Sequence, residues 1–280
     1  MSLAVGSFLL SDAWSLFGAS IPSLPLSGCK LGICDWDLRA GGRPASFAVA
    51  KELGFDGVQV SYEISGTNAL ATKSNRPDFA EAARETGVEI ASLCMGILNN
   101  HPLATTPDAE GWVNDCIDAM VDLNVDQTLL AFFGKADMHQ HKEHQRLVID
   151  KLKRLSPVAG KKKKILAIES YLSAEEHLKL LDAIGSDAVK VYYDVRNSWN
   201  KGYDIFHEIE LLGRKNVMSQ VHLKEDRSRL GAGDIDFTKV CETLAKVGYK
   251  GWLVVEGSVR DDWKESQAAN VQFVKKMIGR

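Results

Sequence analysis

The sequence predicts a single (β/α)8 barrel of the TIM type, preceded by a short N-terminal extension. Strand-like and helix-like segments alternate from Lys30 to the end of the chain, as in a parallel sheet covered by helices. Eight such units follow one another without a linker, and the 280-residue chain has room for one barrel. Such a barrel takes about 250 residues. An open doubly wound sheet would more often carry a Gly-x-Gly-x-x-Gly turn, which the sequence lacks.

Each predicted strand is a short apolar run bounded by glycine or charged residues, which is typical of buried parallel strands. The seventh run passes into a charged and then glycine-rich stretch, which predicts a long loop before the next helix. The eight predicted strands are residues 31–36, 57–60, 88–95, 127–132, 164–169, 189–194, 217–223 and 251–256.

The segments between the strands carry apolar residues at helical spacing and recognisable helix ends. Pro44 suits a helix start, and Gly54 and Gly87 each suit the position just after a helix. Ser173 and Glu176 have the spacing of a capping box. The eight predicted helices are residues 44–53, 78–84, 108–123, 142–159, 174–184, 203–213, 237–247 and 262–278.

Composition and charge narrow the function classes. A net charge of −3 gives no basic field of the kind that nucleic-acid binding requires, so no nucleic-acid partner is expected. No apolar run is long enough to span a bilayer, so no membrane partner is expected. Five cysteines without a Cys-x-x-Cys pair argue against a disulfide framework and favour a reducing compartment, the cytoplasm.

We predict two segments, an N-terminal extension at residues 1–29 and a barrel domain at residues 30–280. The extension is apolar and small in character, without a positively charged start. It is either a tail packed on the domain or the remnant of a trimmed export signal. Asp12 and two prolines interrupt any hydrophobic core segment, which favours the packed tail.

Four ionisable residues stand at the C-terminal ends of four consecutive predicted strands: Glu169, Asp194, His222 and Glu256. Functional residues of this fold sit at that end of the barrel. Three converging buried carboxylates would repel one another, and a divalent cation removes that repulsion. Any one of them alone would more often cap a helix or pair with a lysine, but four in register predict one metal site. Oxygen-rich ligation with one imidazole suits Mn²⁺, Mg²⁺ or Co²⁺, with Zn²⁺ or Fe²⁺ as further options.

These residues carry a resemblance to the sugar phosphate isomerase/epimerase superfamily, whose members have a xylose isomerase-like TIM barrel (AP endonuclease family 2). The resemblance covers Lys30 to Arg280. The matching motifs are Ala-Ile-Glu169, Tyr-Tyr-Asp194, Val-His222-Leu-Lys-Glu-Asp, Leu-Gly-Ala-Gly-Asp-Ile-Asp-Phe and Val-Val-Glu256. It implies that the four strand-end residues bind one divalent metal. The chain departs from many members at Asn197, where they carry a histidine three residues after the aspartate.

Six further residues are candidates for substrate binding: Asn197, Lys224, Arg227, His101, Trp36 and Glu63. Asn197 can hydrogen-bond a hydroxyl, Lys224 can polarise a substrate oxygen, and Arg227 with Arg229 can grip a carboxylate or phosphate. Each has an ordinary structural alternative, such as a surface salt bridge or a core aromatic. The histidines of the stretch 139–144 have no carboxylate in register, and we interpret them as a polar loop and helix start.

The resemblance implies a metal-dependent isomerase or epimerase of a small sugar, keto-sugar or polyol derivative, acting through an enediolate. It assigns proton transfer to Glu169 and Glu256. A keto-polyol dehydratase shares the first step and stays open. A phosphodiesterase of the endonuclease IV type would need two or three metals, and a non-catalytic sugar-binding barrel is a further alternative. The expected partner is a small carbohydrate, and a homodimer or homotetramer is left open.

Overall fold

The computed structural model describes residues 26–257 and 262–280 and contains a closed barrel of eight parallel strands in the order β1 to β8. Strand β1 pairs with both β2 and β8, which closes the barrel. The strands are β1 (Lys30–Cys34), β2 (Gly57–Ser61), β3 (Glu89–Met95), β4 (Gln127–Phe132), β5 (Ile165–Ser170), β6 (Val189–Asp194), β7 (Met218–Lys224) and β8 (Trp252–Glu256). The predicted fold class is confirmed.

Helices follow the strands around the barrel. They are α1 (Ala45–Leu53), α2 (Arg76–Thr86), α3 (Ala109–Asp122), α4 (Lys142–Lys161), α5 (Ala174–Ile184), α6 (Val195–Asn200), α7 (Ile205–Arg214), α8 (Phe237–Lys246) and α9 (Trp263–Met277). Gly54, Gly87 and Gly185 follow their helices in left-handed conformation, with φ of 90°, 69° and 71°. Ser173 and Glu176 form the predicted capping box at α5.

One local prediction was wrong, and one helix was missed. The first strand was expected to reach Trp36, but β1 ends at Cys34 because residues Asp35–Leu38 form a 3-10 turn. The turn is stabilised by Asp35, whose carboxylate accepts the Gly42 amide hydrogen at 2.8 Å. The short helix α6 was not predicted. It begins where the Asp194 side chain accepts a hydrogen bond from the backbone N–H of Asn197, at 2.7 Å.

The core has two parts. The larger lies between the outer face of the barrel and the helices. The smaller fills the barrel interior and consists of Cys34, Cys94, Leu129, Ala131, Ala167, Tyr192 and Val254. Gly57 opens β2 where any Cβ atom would collide with the Trp252 ring, so strand packing requires glycine there. No helix within the described part of the chain combines the length and apolar character needed to cross a membrane.

The predicted boundary of the extension, between residues 29 and 30, lies shortly after the first described residue, Leu26. Leu26 and Cys29, its last part, are buried, and the Cys29 thiol lies 3.5 Å from the Tyr249 carbonyl oxygen. The rest of the predicted packed tail, residues 1–25, lies outside the residues that the structure describes. The division into residues 1–29 and 30–280 therefore stays a prediction.

Candidate metal centre

The strand register brings the four predicted ligands together. Asp194 is the last residue of β6 and stands opposite His222 on β7. Glu256 ends β8 and is paired in register with Lys224 on β7. Glu169 lies one residue before the end of β5. Because the four strands are consecutive and parallel, their C-terminal ends meet at one mouth of the barrel.

The four side chains converge on one point. The Nδ1 atom of His222 lies 3.2 Å from a carboxylate oxygen of Glu169, 3.2 Å from one of Glu256 and 3.6 Å from one of Asp194. One ligand atom from each residue can be chosen so that all lie within 4.8 Å of one another. Glu169, Asp194 and His222 are buried, and Glu256 is partly buried. This spacing is consistent with one divalent metal site.

The donor set fits one divalent cation. Oxygen Oδ2 of Asp194 is buried and has no hydrogen-bond partner, which is unusual for a carboxylate oxygen. The nearest cationic atom outside the imidazole, Nζ of Lys224, is 3.8 Å away. Three carboxylates and one imidazole are ligands that suit Mn²⁺, Mg²⁺ or Co²⁺ and, less selectively, Zn²⁺ or Fe²⁺. A cation at this point would satisfy the orphaned oxygen.

Without a metal, the carboxylates of the cluster favour protonation of the groups around them. Burial raises the pKa of Glu169 to about 7, although the neighbouring His222 opposes that shift. Burial by itself would lower the pKa of His222, but the carboxylates of Glu256 and Glu169 outweigh it and raise that pKa to about 10. Burial likewise opposes the charge on Lys224, and again Glu256 and Asp194 raise its pKa above the ordinary value. A proton on the imidazole thus supplies the positive charge that a bound metal ion would supply.

A cavity of about 320 Å³ opens at the same mouth of the barrel. Six of the predicted site residues border it, namely Trp36, Glu63, Glu169, Asn197, Lys224 and Glu256. The remaining wall was not predicted and consists of Ser61, Cys94, Gly96, Asn99, Leu129, Ala131, Phe133 and Tyr171. These are ordinary residue types within strands or short turns, so only their position marks them. The Phe133 and Tyr171 rings meet edge to face, with centroids 4.7 Å apart.

Asn197 and Lys224 contact the cluster as well as the cavity. The Asn197 side-chain amide donates to Glu169 at 3.3 Å. Nζ of Lys224 lies 3.1 Å from a Glu256 oxygen. Both side chains thus hold a carboxylate in place while facing the space where a substrate would lie.

Two predicted substrate contacts lie elsewhere. His101 is exposed and packs edge-on against Trp112, with ring centroids 5.8 Å apart. Arg227 is exposed in a separate depression, where Glu225 and Arg196 are neighbours. Neither borders the cavity, and nothing tests their predicted roles, which stay predictions.

Arg229 was named together with Arg227 as a candidate for binding a carboxylate or phosphate. It forms ion pairs with Asp262 and Glu265 at 3.0 and 3.1 Å. Among the described residues, the histidines at 139–144 belong to no cluster of metal-binding type. The structure places them just before α4 and in its first turn, as predicted for a loop and helix start.

The turn after β1 ties the cavity wall to its neighbours. Asp35 accepts the Ser61 hydroxyl at 2.6 Å and the Ser61 amide at 2.8 Å, at the end of β2. Asp37 accepts the Gly257 amide at 2.8 Å, directly after Glu256. The two buried carboxylates therefore connect the ends of both strands that flank β1. They also hold Trp36, which lies between them, at the rim of the cavity.

The glycine-rich loop after β7 is held by a charge network. Arg196 on α6 forms ion pairs with Glu225, Asp226 and Asp234. A Cβ atom at Gly233 would overlap the buried Glu225 carboxylate, so the loop's approach to that group requires glycine. The network joins α6, which directly follows Asp194, to the segment that follows His222.

Known proteins share this architecture. The family described as "Xylose isomerase-like TIM barrel" matches residues 47–277. The chain belongs to this family. Its relatives include the L-ribulose-5-phosphate 3-epimerase UlaE of Escherichia coli K12, which is 25% identical over 227 residues. That match covers 74% of this chain and 79% of the relative.

Solved structures of sugar epimerases have the same fold as this xylose isomerase-like barrel. The 3-keto-D-glucoside 4-epimerase YcjR of E. coli has a TM-score of 0.74 at 16% identity, covering 88% of this chain and 99% of that one. The D-psicose 3-epimerase of Clostridium cellulolyticum H10, solved with D-tagatose, has a TM-score of 0.72 at 16% identity, with coverages of 89% and 99%. The chain is thus a distant relative in sequence of L-ribulose-5-phosphate 3-epimerase, and it has a largely buried Glu/Asp/His/Glu cluster of metal-site type.

Proposed function

We propose that this protein is a divalent-metal-dependent epimerase of a small ketose. One observation carries the proposal: of the four clustered side chains, Glu169 and Glu256 border the cavity, whereas Asp194 and His222 lie beneath it. The two glutamates can therefore contact both a metal ion and a substrate. Two carboxylates that face one substrate from strands three apart in the barrel are suited to removing a proton and returning it.

The cavity is suited to a small polyhydroxylated molecule. Trp36, Phe133 and Tyr171 offer aromatic surfaces against which the carbon-bound hydrogens of a sugar can pack. Ser61, held by Asp35, and Asn197 offer polar atoms for hydroxyl groups. A volume of about 320 Å³ lies at the small end of ligand pockets and matches a single sugar unit.

The proposed reaction inverts the carbon next to a ketose carbonyl. When bound at the cluster, a divalent cation supplies Lewis-acid stabilisation of the charge that develops on the substrate oxygens. One glutamate accepts the α-proton as the C–H bond breaks, and the electron pair moves into the carbonyl to give an enediolate. The other glutamate then donates a proton to the opposite face of that carbon. Asn197 orients Glu169, and Lys224 orients Glu256.

The related proposals follow from the same site. Mn²⁺, Mg²⁺ or Co²⁺ is the expected cofactor and a small carbohydrate the expected partner. Epimerisation is favoured over ketose–aldose isomerisation or dehydration because the relatives named above are epimerases of keto sugars. All five cysteines are free and buried, in keeping with the cytoplasm as the compartment.

Solvent exchange tests the proton transfer. The metal-loaded protein, incubated in D₂O with a panel of free ketopentoses, ketohexoses and their phosphates, is expected to label the carbon next to the carbonyl and invert it. Chelator should abolish the label and added Mn²⁺ should restore it. Glu169→Gln should slow exchange by at least about 10²-fold, the lower range for loss of a general base.

Glu208→Gln is the matched control. Glu208 is also a buried glutamate, but its carboxylate accepts hydrogen bonds from the Ala174 amide and the Tyr193 hydroxyl, away from the cavity. This variant should keep exchange at the wild-type rate. Turnover to an epimer without label would remove the proton-transfer role from the glutamates. A labelled product lacking one molecule of water would instead identify a dehydratase.

A further inference from the structure

We propose that Gln59 is a positioning residue that fixes which nitrogen of His222 faces the metal site. This inference rests on the proposed metal-dependent function. Gln59 lies on β2, which β8 and β1 separate from β7, and its side chain is fully buried. Its amide oxygen lies 2.9 Å from Nε2 of His222. The contact is made from the side of the ring away from the carboxylates.

The surroundings of Gln59 set the orientation of its amide. Its nitrogen donates a hydrogen bond to the Ser92 hydroxyl at 3.0 Å. The thiol of Cys34 donates to the amide oxygen at 3.3 Å. With the amide oxygen toward His222 both contacts are satisfied, and an amide oxygen can only accept a hydrogen bond. Nε2 of His222 must therefore carry a hydrogen atom.

The consequence concerns the other ring nitrogen. A neutral imidazole has one N–H, so a hydrogen on Nε2 leaves a lone pair on Nδ1. Nδ1 is the atom that lies 3.2 Å from Glu169 and from Glu256. The opposite tautomer would place the Nε2 lone pair against the lone pairs of the Gln59 oxygen, in a fully buried position. Gln59 therefore prepares the imidazole to bind metal through Nδ1, as outer partners of metal-ligating histidines generally do.

Gln220 provides a matched comparison within the same barrel. It lies on β7 two residues before His222, and it too is fully buried. Its amide nitrogen donates to the Ala91 carbonyl at 2.8 Å, so its hydrogen bond goes to the backbone of β3. A substitution at either glutamine removes one buried amide from the barrel interior. Only the substitution at Gln59 removes the amide oxygen that faces Nε2 of His222, leaving that atom the weaker contact with the Cys34 sulfur at 3.6 Å.

Metal affinity is the first measurement. We expect Gln59→Leu to weaken Mn²⁺ binding, measured by titration calorimetry, by about 10- to 100-fold, the range found for outer partners of metal ligands. Gln220→Leu should bind Mn²⁺ as the wild type does. Gln59→Glu keeps an acceptor for Nε2, and Ser92 can rotate its hydroxyl to donate, so affinity should be retained. Thermal melting of each metal-free variant establishes that it folds.

The tautomer itself is the second measurement. In Zn²⁺-loaded wild-type protein, ¹⁵N-histidine NMR should show a proton on Nε2 of His222 and none on Nδ1. Metal bound through Nε2, or equal loss of affinity in Gln59→Leu and Gln220→Leu, would overturn the inference while leaving the metal site intact. Wild-type protein that binds no divalent metal would overturn both the proposed function and this inference. The affinity and tautomer measurements do not depend on knowing the substrate.

Discussion

The two halves of the barrel contribute different chemistry to the same mouth. Strands β5 to β8 end in Glu169, Asp194, His222 and Glu256, the clustered ionisable groups. Strands β1 to β4 and the turns after them supply most of the cavity wall, including Trp36, Ser61, Glu63, Cys94, Asn99, Leu129, Ala131 and Phe133. We call β5 to β8 the charged half, because these strands carry the ionisable cluster. We call β1 to β4 the shaping half, because these strands and their turns form most of the cavity wall.

The difference indicates where reaction and specificity reside. A cluster of three carboxylates and an imidazole tolerates few substitutions, because each group is needed to neutralise or coordinate its neighbours. The wall of the first half can change one residue at a time without disturbing that balance. Gln59 is the exception, because it belongs to β2 but acts on His222. We therefore expect changes in the second half to affect metal binding and changes in the first half to affect substrate choice.

The largest expected effect comes from the charged half. His222→Gln should reduce metal affinity and lower turnover by at least about 10³-fold, since Lewis-acid stabilisation contributes several kcal/mol and about 1.4 kcal/mol is a factor of ten. Metal content by elemental analysis and a steady-state assay are the measurements. The variant should also melt at a lower temperature in the metal-free state, because two buried carboxylates and one partly buried carboxylate lose their imidazolium partner.

His177→Gln is the control for that substitution. His177 is equally buried on α5, but its ring nitrogens contact the Ser170 hydroxyl at 2.9 Å and the Ser173 carbonyl at 3.1 Å. This variant should keep full metal content and turnover. Full metal content in His222→Gln would contradict the assignment of His222 as a ligand. Equal losses in both variants would assign the effect to general disruption.

The second expected effect is a pH dependence specific to the charged half. In the metal-free protein, the pKa of Glu169 is raised from 4.5 to about 7 and that of His222 from 6.5 to about 10. Burial is the first cause for Glu169, and the carboxylates around His222 are the cause there. Both groups hold a proton more tightly when folded than when unfolded. Their contribution to stability is therefore present at low pH and is lost as pH rises through about 7 and about 10.

Metal binding replaces those protons, so the metal should gain affinity as pH rises. Between pH 7 and 8.5 the release of one proton predicts an increase of about tenfold per pH unit. The melting temperature with Mn²⁺ minus that with chelator should grow from pH 6 to pH 8.5. A difference that is constant or shrinks over this range would show that no proton is displaced from the cluster.

The charged half could be predicted from the sequence because its ionisable residues interrupt apolar strands. Asp194 and Glu256 each end a strand whose other residues are mostly hydrophobic, and the register of a closed parallel barrel brings such ends together. The fold was also predictable, because the spacing of apolar residues and the glycines that follow helices are local features of the sequence. Strands β4 and β6 were predicted at their observed bounds for that reason.

Most residues of the shaping half could not be predicted from the sequence, for physical reasons. Leu129 and Ala131 face the cavity only because alternate residues of a strand point into the barrel, and nothing in their chemistry marks them. Asp35 and Asp37 interrupt a strand-like run, but their hydrogen bonds go to Ser61 and Gly257, distant in sequence. Gln59 was missed because a neutral amide within a strand gives no charge signal. Its role appears only when the closed barrel brings the side chains of β2 and β7 together in the interior.

The smallest expected effect lies in the shaping half and concerns the charge of the substrate. Glu63 is exposed on the cavity wall, where its carboxylate would repel a phosphate group on the far end of a ketose. Glu63→Gln should therefore lower KM for a ketose phosphate by at most about fivefold, because two charges 4 Å apart in bulk water interact by about 1 kcal/mol. The KM for the corresponding free ketose should not change, and neither should the affinity for Mn²⁺.

Salt and position provide the controls for Glu63. The gain should vanish at about 1 M salt, where the Debye length falls to about 3 Å. Glu89→Gln removes an equally exposed carboxylate at the start of β3, at the other end of the barrel, where Glu89 pairs with Lys30 at 2.7 Å. That variant should leave both KM values unchanged. A weaker affinity for the free ketose in Glu63→Gln would instead show that Glu63 accepts hydrogen bonds from sugar hydroxyls. The first half would then select its substrate by direct contact in addition to charge and shape.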